Sequence, residues 1–225
     1  MFLNLKEGAI LIADAHYPNH KKEEFLAFLN AVYKKEIKTQ QLIFMGDIFD
    51  LLVGNSPYLK ERFKSEIALI NLIAQDIEVI YLEGNHDFYL KPLFENIKIY
   101  PITTQPLKAK FNSKIICLSH GDKIFMPFIY KVYTTIIRNP ITLKIIPDIV
   151  AKYKLKSMSK KSICKKIINF EDRVKKIKDI YSCDFIIEGH YHQDRVYKNY
   201  YALPSFACSN KIAVVVNGNI EYKEF

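Results

Sequence analysis

The sequence contains no tryptophan, only seven glycines in 225 residues, and no apolar stretch approaching the roughly 20 residues that a membrane-spanning helix needs. Its few glycines and prolines exclude a fibrous or low-complexity chain, and its 49% hydrophobic and 25% charged residues are typical of globular proteins. Because Lys6 and Glu7 precede a short apolar run, we expect neither a signal peptide nor a spanning helix at the N-terminus. The length favours a single domain over residues 1–225.

Cysteine is also scarce, and none of the four cysteines forms a Cys-x-x-Cys pair. Three of them lie in apolar or strand-like contexts, such as IICLS and SFACS. We therefore expect reduced thiols in the core, which favours a cytosolic compartment. The four residues are Cys117, Cys164, Cys183 and Cys208.

Acidic residues are rare in one segment, about residues 123–181, hereafter the insert. It has 15 Lys or Arg and four Asp or Glu, a net charge of +11, whereas the whole chain carries +9. This segment therefore contains all of the excess positive charge. It is also rich in Ile, Tyr and Phe and has prolines at 127, 140 and 147, a pattern that predicts two to four helices separated by turns.

The remaining chain alternates between strand and helix patterns. Apolar runs that end in polar residues recur as GAILIAD, QLIFMGD, IEVIYLEGNHD, KIICLSHGD and DFIIEGHYH. Helical patterns cover about Lys21–Lys35 and Leu59–Ala74, and the C-terminal stretch predicts closing antiparallel strands. The pattern predicts an α/β fold with its site at the carboxyl ends of strands, and the insert interrupts it between the last two runs.

Five of the six histidines fall within motifs at these predicted strand ends, and only His20 lies outside them. A dinuclear metal site needs a carboxylate that can bridge the ions, with imidazole and oxygen ligands completing each coordination sphere. Asp47 is the natural bridge, and residues two apart, such as Asp14 and His16, can chelate one ion from an extended strand end. The candidate metal ligands are Asp14, His16, Asp47, Asn85, His120, His190 and His192.

The absence of thiolates from this set favours two divalent ions of manganese, iron or zinc, with manganese as our expectation, over a structural zinc. A metal ion pair activates water and stabilises an in-line displacement at phosphorus. The sequence therefore predicts a phosphoesterase.

The ordered motifs DAH, GDIFD, GNHDF, HGD and GHYH resemble those of the calcineurin-like metallophosphoesterase superfamily over about Ile10–His192. The resemblance implies a four-layered α/β/β/α sandwich with two central mixed sheets and the helical insert capping the site. It implies one ion bound by Asp14, His16, Asp47 and His192, and another bound by Asp47, Asn85, His120 and His190.

The same resemblance implies a catalytic role for His86, in stabilising the transition state or protonating the leaving group, with Asp87 orienting it. His20 has no motif partner, and we interpret it as a surface or helix-start residue.

Within the superfamily, the stretch GDIFDLLVGN, the following Phe88 and the basic, apolar insert resemble the UDP-2,3-diacylglucosamine pyrophosphohydrolases of lipid A synthesis. In those enzymes the insert caps the site and houses acyl chains. The resemblance therefore implies a nucleotide-linked glycolipid substrate and permits peripheral contact with the cytoplasmic face of the inner membrane. Apolar residues that could line an acyl chamber are Phe125, Phe128, Ile129, Tyr130, Tyr133, Ile136 and Ile137, and candidate headgroup contacts are Lys156, Ser157, Lys161 and Lys165.

Three positions depart from the best-known branch of that family, which has Arg in place of His86 and Arg-Pro in place of Gln193-Asp194. The chain is thus a divergent branch with the same reaction or a phosphoesterase with another substrate. A nuclease or nucleotide phosphodiesterase would use the same centre, although the insert is unusually apolar for a nucleic-acid surface. A non-catalytic scaffold is disfavoured because every expected ligand is present.

Overall fold

The computed structural model describes residues 2–124, 128–139, 142, 148–158 and 163–225. Two six-stranded mixed sheets form its centre. The first contains, in spatial order, β1 (Leu3–Asn4), β8 (Leu107–Phe111), β9 (Lys114–Ser119), β10 (Phe185–Glu188), β12 (Tyr200–Ala202) and β11 (Arg195–Tyr197). The second contains β14 (Asn219–Glu224), β13 (Lys211–Val216), β2 (Ile10–Ile12), β3 (Gln41–Phe44), β5 (Glu78–Leu82) and β7 (Lys98–Tyr100). A small parallel pair, β4 (Leu52–Val53) and β6 (Asp87–Phe88), lies outside them.

The described helices are α1 (Lys22–Tyr33), α2 (Pro57–Arg62), α3 (Lys64–Asp76), α4 (Phe128–Ile137), α5 (Asp148–Met158), α6 (Phe170–Ile180) and the short α7 (Phe206–Ser209). Two short 3-10 helices cover Lys91–Leu93 and Ile102–Thr104. The helical pattern over Leu59–Ala74 is divided between α2 and α3, with Phe63 at the junction. The closing strands β13 and β14 are antiparallel, as the sequence predicts.

Strand β3 shows why the sandwich has four layers. Leu42 and Phe44 pack into a core with α1 and α3, whereas Ile43 packs into a second core between the two sheets. Successive side chains of a strand point to opposite faces, so a strand that is buried on both faces must be apolar throughout. Helix α6 covers the outer face of the first sheet through Val174 and Ile177. The predicted α/β/β/α arrangement is thereby confirmed.

The cysteines form two disulfides, Cys117–Cys183 and Cys164–Cys208, so the prediction of reduced thiols is wrong for this structure. Their Cα atoms lie 5.8 and 5.7 Å apart, distances that a disulfide spans readily. The partners are separated by 66 and 44 residues, and the fold brings them together from different elements. The apolar contexts correctly indicated burial of Cys117, but they carried no information about pairing, and the cytosolic assignment loses its support from cysteine.

The insert is helical, as the sequence predicts, with α4, α5 and α6 among its described residues. Its apolar side chains do not line an enclosed chamber in the way we expected: Phe128, Ile129 and Ile136 are 80%, 83% and 53% exposed. The reason is that α4 buries Thr134 on its inner side and leaves this apolar face outward. Phe125 and the side chains of Tyr130 and Tyr133 lie outside the described residues. None of the described helices has the length and apolar content to cross a bilayer.

Phe206 offers a test of the helix layer on the second sheet. Its fully buried ring contacts Phe25 and Phe28, with centroids 6.0 Å from each. We expect Phe206→Ala to reduce the free energy of unfolding by about 3–5 kcal/mol, because the substitution leaves a cavity among these rings. Urea denaturation would measure the change. Tyr33→Ala, at a 43% exposed site on α1, is the control and should change it by less than about 1 kcal/mol. A small effect of Phe206→Ala would contradict this packing.

Candidate metal centre

The candidate ligands all follow central strands, and the two sheets present those strand ends to each other. Asp14 and His16 follow β2, Asp47 follows β3, and Asn85 follows β5, three neighbouring parallel strands of the second sheet. His120 follows β9, and the His190–His192 pair follows β10, which are parallel neighbours in the first sheet. The sequence placed these residues at strand ends, and the sheet order brings them together.

The first group contains Asp14, His16 and His192, whose potential ligand atoms all lie within 4.8 Å of one another. The Nε2 atoms of His16 and His192 are 3.4 Å apart, and His192 Nε2 is 3.3 Å from Asp14 Oδ1. The opposite ring nitrogens are held by the protein: His16 Nδ1 lies 3.4 Å from Asp50 Oδ1, and His192 Nδ1 lies 2.7 Å from the carbonyl of Ile163. Both Nε2 atoms are therefore turned towards the same space.

The second group contains Asp47, His120 and His190, again with ligand atoms within 4.8 Å of one another. His120 Nε2 lies 3.3 Å from both Asp47 Oδ2 and Asn85 Oδ1, which places Asn85 beside this group. His120 Nδ1 lies 2.9 Å from the carbonyl of Met45. Partners of this kind fix the tautomer and ring orientation of histidines that bind metals.

Five of these residues, Asp14, His16, Asp47, His190 and His192, have positive φ angles between 47° and 63°. Non-glycine residues seldom adopt this left-handed conformation, which costs about 1–3 kcal/mol at each site. Strained backbone of this kind clusters at functional sites, where the surrounding structure enforces it. Glycines complete the tight turns, and a Cβ added at Gly84 would lie only 2.2 Å from Asp47 Oδ1.

Burial and charge act against each other on the titratable groups. Burial favours the neutral form of Asp47, but the charges of His120 and His86 outweigh it and hold the pKa of Asp47 well below its usual value. Burial likewise disfavours protonated His120, yet attraction to Asp47 raises its pKa well above the usual value. Burial and repulsion from His120 lower the pKa of His190 to about 3, so His190 is a neutral imidazole near neutral pH.

The donor set fits divalent metal ions. Asp14 Oδ1 is buried without a hydrogen-bond partner among the described residues, and buried charges are normally paired or bound to metal. Imidazole nitrogens with carboxylate and amide oxygens suit manganese, iron or zinc. Each ligand group contains three of the four residues of one predicted set, and Asp47 is grouped only with His120 and His190.

His86 lies against the first group, but the expected contact with Asp87 is wrong. The ring centroids of His86 and His16 are 5.2 Å apart, and His86 Nδ1 is 2.8 Å from the backbone carbonyl of Asp50. The Asp87 carboxylate instead accepts hydrogen bonds from the backbone N–H groups of Asp47, Ile48 and Gly84 and from the Tyr81 hydroxyl. Asp87 thus joins two ligand loops and does not orient His86.

Asp50 is a site residue that the sequence analysis missed. Its carboxylate approaches His16, and its carbonyl approaches His86. The available signal was the second aspartate of the GDIFD motif, three residues after Asp47.

The candidate headgroup contacts are dispersed. Lys156 lines a cavity of about 240 Å³ with Arg62 and Lys152, between α2 and α5. The Ser157 hydroxyl donates to the Lys154 carbonyl within its own helix, and the backbone carbonyl of Lys165 accepts from Gln193, next to His192. Lys161 lies outside the described residues. Within the described part of the chain, neither the Ser157 hydroxyl nor the Lys165 ammonium makes a hydrogen bond or ion pair with the ligand groups.

A two-sheet α/β fold that gathers Asp, Asn and His at its strand ends defines a metal-dependent phosphoesterase. The chain belongs to the calcineurin-like phosphoesterase family, whose match covers residues 9–194.

Among curated relatives, the chain is 22% identical over 200 residues to a UDP-2,3-diacylglucosamine hydrolase of Pseudomonas fluorescens, covering 84% of this chain and 80% of that protein. It is 25% identical over 204 residues to the Photorhabdus laumondii protein of the same name, covering 84% and 83%. A third protein of that name, from Blochmanniella floridana, is 29% identical over 117 residues, covering 51% of this chain and 47% of that protein. These identities are low, in agreement with the predicted divergent branch.

Gly46 and Gly8 form a matched pair for testing the packing of the centre. Both have positive φ angles, 88° and 72°, but a Cβ at Gly46 would lie 2.4 Å from His120 Nδ1, whereas a Cβ at Gly8 would meet nothing within 4 Å. Gly46→Ala should therefore displace His120 and abolish hydrolysis of bis-p-nitrophenyl phosphate. Gly8→Ala should cost only about 1–2 kcal/mol of backbone strain and leave hydrolysis intact. Equal activity in the two variants would contradict the observed approach of Gly46 to His120.

Proposed function

We propose that the protein hydrolyses the diphosphate of UDP-2,3-diacylglucosamine to UMP and 2,3-diacylglucosamine 1-phosphate. The pairing of two ligand groups, each with its potential ligand atoms within 4.8 Å, carries the proposed chemistry at phosphorus. The substrate is suggested by the names of the three relatives. The apolar and basic composition of the insert suits a substrate that combines acyl chains with phosphates.

We assign one manganese ion to Asp14, His16, Asp47 and His192, and a second to Asp47, Asn85, His120 and His190. Asp47 is the shared ligand, and its buried carboxylate lies 3.3 Å from His120 Nε2. When bound, such ions lower the pKa of water and offset charge on the phosphoryl group. Three of the imidazoles, those of His16, His192 and His120, are held by Asp50, Ile163 and Met45 respectively, so that their free nitrogens face inwards.

His86 is the proposed proton donor to the leaving oxygen, or the group that stabilises charge on it. The carbonyl of Asp50 holds a proton on His86 Nδ1, and Nε2 is turned towards the centre, 3.8 Å from Asp47 Oδ2. Burial lowers the pKa of this imidazole. Donation from Nε2 requires the doubly protonated imidazole, a form that the neighbouring Asp47 carboxylate favours against the effect of burial.

The outer face of α4 supports peripheral contact with a lipid surface. Phe128, Ile129, Val132 and Ile136 are spaced for one side of a helix, and all four are exposed. This face lies within the segment of net charge +11. Apolar side chains surrounded by basic ones are the combination that binds anionic membrane surfaces.

The ligand assignment is tested by Asp47→Ala. The variant should lose manganese binding and hydrolysis of bis-p-nitrophenyl phosphate together, because Asp47 is proposed to contact both ions. The loss of activity should exceed about 100-fold, since even partners behind metal ligands typically contribute 10–100-fold. Asp76→Ala, at an exposed ion pair with Lys35, is the control. Retained activity in Asp47→Ala would refute the shared ligand.

The substrate is tested by parallel assays with manganese on UDP-2,3-diacylglucosamine, bis-p-nitrophenyl phosphate and single-stranded DNA. We expect UMP from the glycolipid at a kcat/KM well above that for the generic diester, because the insert should bind the lipid portion. Turnover of the diester without any release of UMP would reject the glycolipid substrate. Preferential cleavage of DNA would instead favour a nuclease, with Arg62, Lys152 and Lys156 as a basic cavity for phosphate.

A further inference from the structure

Arg138 is a residue of the insert that reaches the loops of the candidate centre. It directly follows α4, and its backbone N–H continues the helical pattern by donating to the carbonyl of Thr134 at 3.1 Å. Its side chain is only 16% exposed, unlike the outward apolar side chains of the same helix. Its guanidinium is therefore directed into the protein.

Three contacts fix this guanidinium. Arg138 Nη2 donates to the carbonyl of Gly84 at 2.8 Å and lies 3.6 Å from Asp122 Oδ2. The guanidinium carbon lies 5.5 Å from the centroid of the Phe88 ring, within the range of a cation–π interaction. Two of these partners belong to the GNHDF motif and one to the HGD motif.

The Gly84 carbonyl is part of the peptide unit that joins Gly84 to Asn85. A hydrogen bond to that oxygen restricts rotation of the peptide plane and thereby sets the direction in which the Asn85 side chain leaves the chain. The loop is fixed on its other side as well, because Gly84 N donates to the Asp87 carboxylate at 2.9 Å. Asn85 Oδ1 lies 3.3 Å from His120 Nε2, so a shift of this peptide would move an atom of the second ligand group.

The ion pair between Arg138 and Asp122 connects the insert to the loop that carries His120. Asp122 is 3% exposed, and neither of its carboxylate oxygens has a hydrogen-bond partner among the described residues. Burial destabilises the charge of a carboxylate that lacks hydrogen bonds, and Arg138, 3.6 Å from Asp122 Oδ2, offsets part of this cost. Asp122 follows His120 by two residues, so this ion pair restrains the loop that carries His120.

We propose that Arg138 is a positioning residue through which the insert sets the geometry of the metal site formed by Asp47, Asn85, His120 and His190. Arginine suits this task because its planar group can donate a hydrogen bond, pair with a carboxylate and stack on a ring at the same time. The contacts of Arg138 lie on the loops of Asn85 and His120, whereas His16 and His192 are held by Asp50 and Ile163. The effect should therefore be confined to one of the two ions.

The test measures manganese binding directly. This inference rests on the proposed ligand assignment but is independent of the glycolipid substrate. The wild-type protein, Arg138→Gln and Arg138→Lys would be titrated with Mn²⁺ by calorimetry, with circular dichroism as a check on folding. Arg195→Gln is the matched control, because Arg195 is an arginine with a 3.0 Å ion pair to Glu171 at the surface. If the wild-type protein fails to bind two ions, the proposed centre itself is wrong.

If the wild-type protein binds two ions, we expect Arg138→Gln to reduce the affinity for one of them by about 10–100-fold and to leave the affinity for the other unchanged. Arg138→Lys should show a smaller loss, since lysine retains the charge near Asp122 but not the planar group. On bis-p-nitrophenyl phosphate, which is too small to need the insert, kcat at limiting manganese should fall while KM stays constant. Saturating manganese should restore most of this activity.

Two results would overturn the proposal. Unchanged affinity for both ions in Arg138→Gln, with a higher KM for UDP-2,3-diacylglucosamine only, would make Arg138 a substrate contact. A role in general stability would be indicated if Arg138→Gln weakened the binding of both ions equally and lost its folded circular dichroism signal. In that case Arg138→Lys would weaken ion binding as severely as Arg138→Gln.

Discussion

Two carboxylates, Asp14 and Asp47, are buried where the sheets meet, at 0% and 2% exposure, and much of the surrounding structure follows from this burial. A buried charge is unfavourable unless it is paired, and these two repel each other as well. Four imidazoles, an amide and, in our proposal, two metal ions surround them. The left-handed backbone at five of these residues is a further cost. Such an arrangement persists only because the cores on both sides of the sheets fix the strand ends.

The sequence predicted an α/β fold and a set of candidate ligands at strand ends because the relevant signals are local, whereas the four-layered sandwich was implied by the family resemblance. An apolar run followed immediately by Asp, Asn or His identifies a buried strand and its polar end within about ten residues. The sequence could not predict contacts between distant segments. Examples are the Cys164–Cys208 disulfide, the approach of Arg138 to Gly84, and the hydrogen bonds of Asp87 to the loop after β3. Each depends on the path of the chain between sheets.

The insert is joined to the metal-centre loops at several points and is more than a cover. Besides Arg138, the carbonyl of Ile163 orients His192, and Lys166 donates to the carbonyl of Gln193 at 2.6 Å. Arg173 on α6 stacks on Tyr191, which lies between the two histidines of the last motif and donates to Gly121 at 2.6 Å. The insert and the loops that carry the candidate ligands are therefore physically connected. The family resemblance implied a lipid chamber but could not reveal these anchors.

Burial of β3 on both of its faces limits where residues can be inserted into or deleted from the chain. Leu42 and Phe44 belong to one core and Ile43 to the other, and Asp47 follows three residues after Phe44. Loss or gain of a single residue within Gln41–Phe44 would turn the side chains that follow it to the opposite face of the sheet, and therefore into the wrong core. The same change would rotate Asp47 away from its neighbours. Insertions and deletions in this family should therefore accumulate in the insert and in peripheral loops. The short central strands should keep their length even where their amino acids differ between family members.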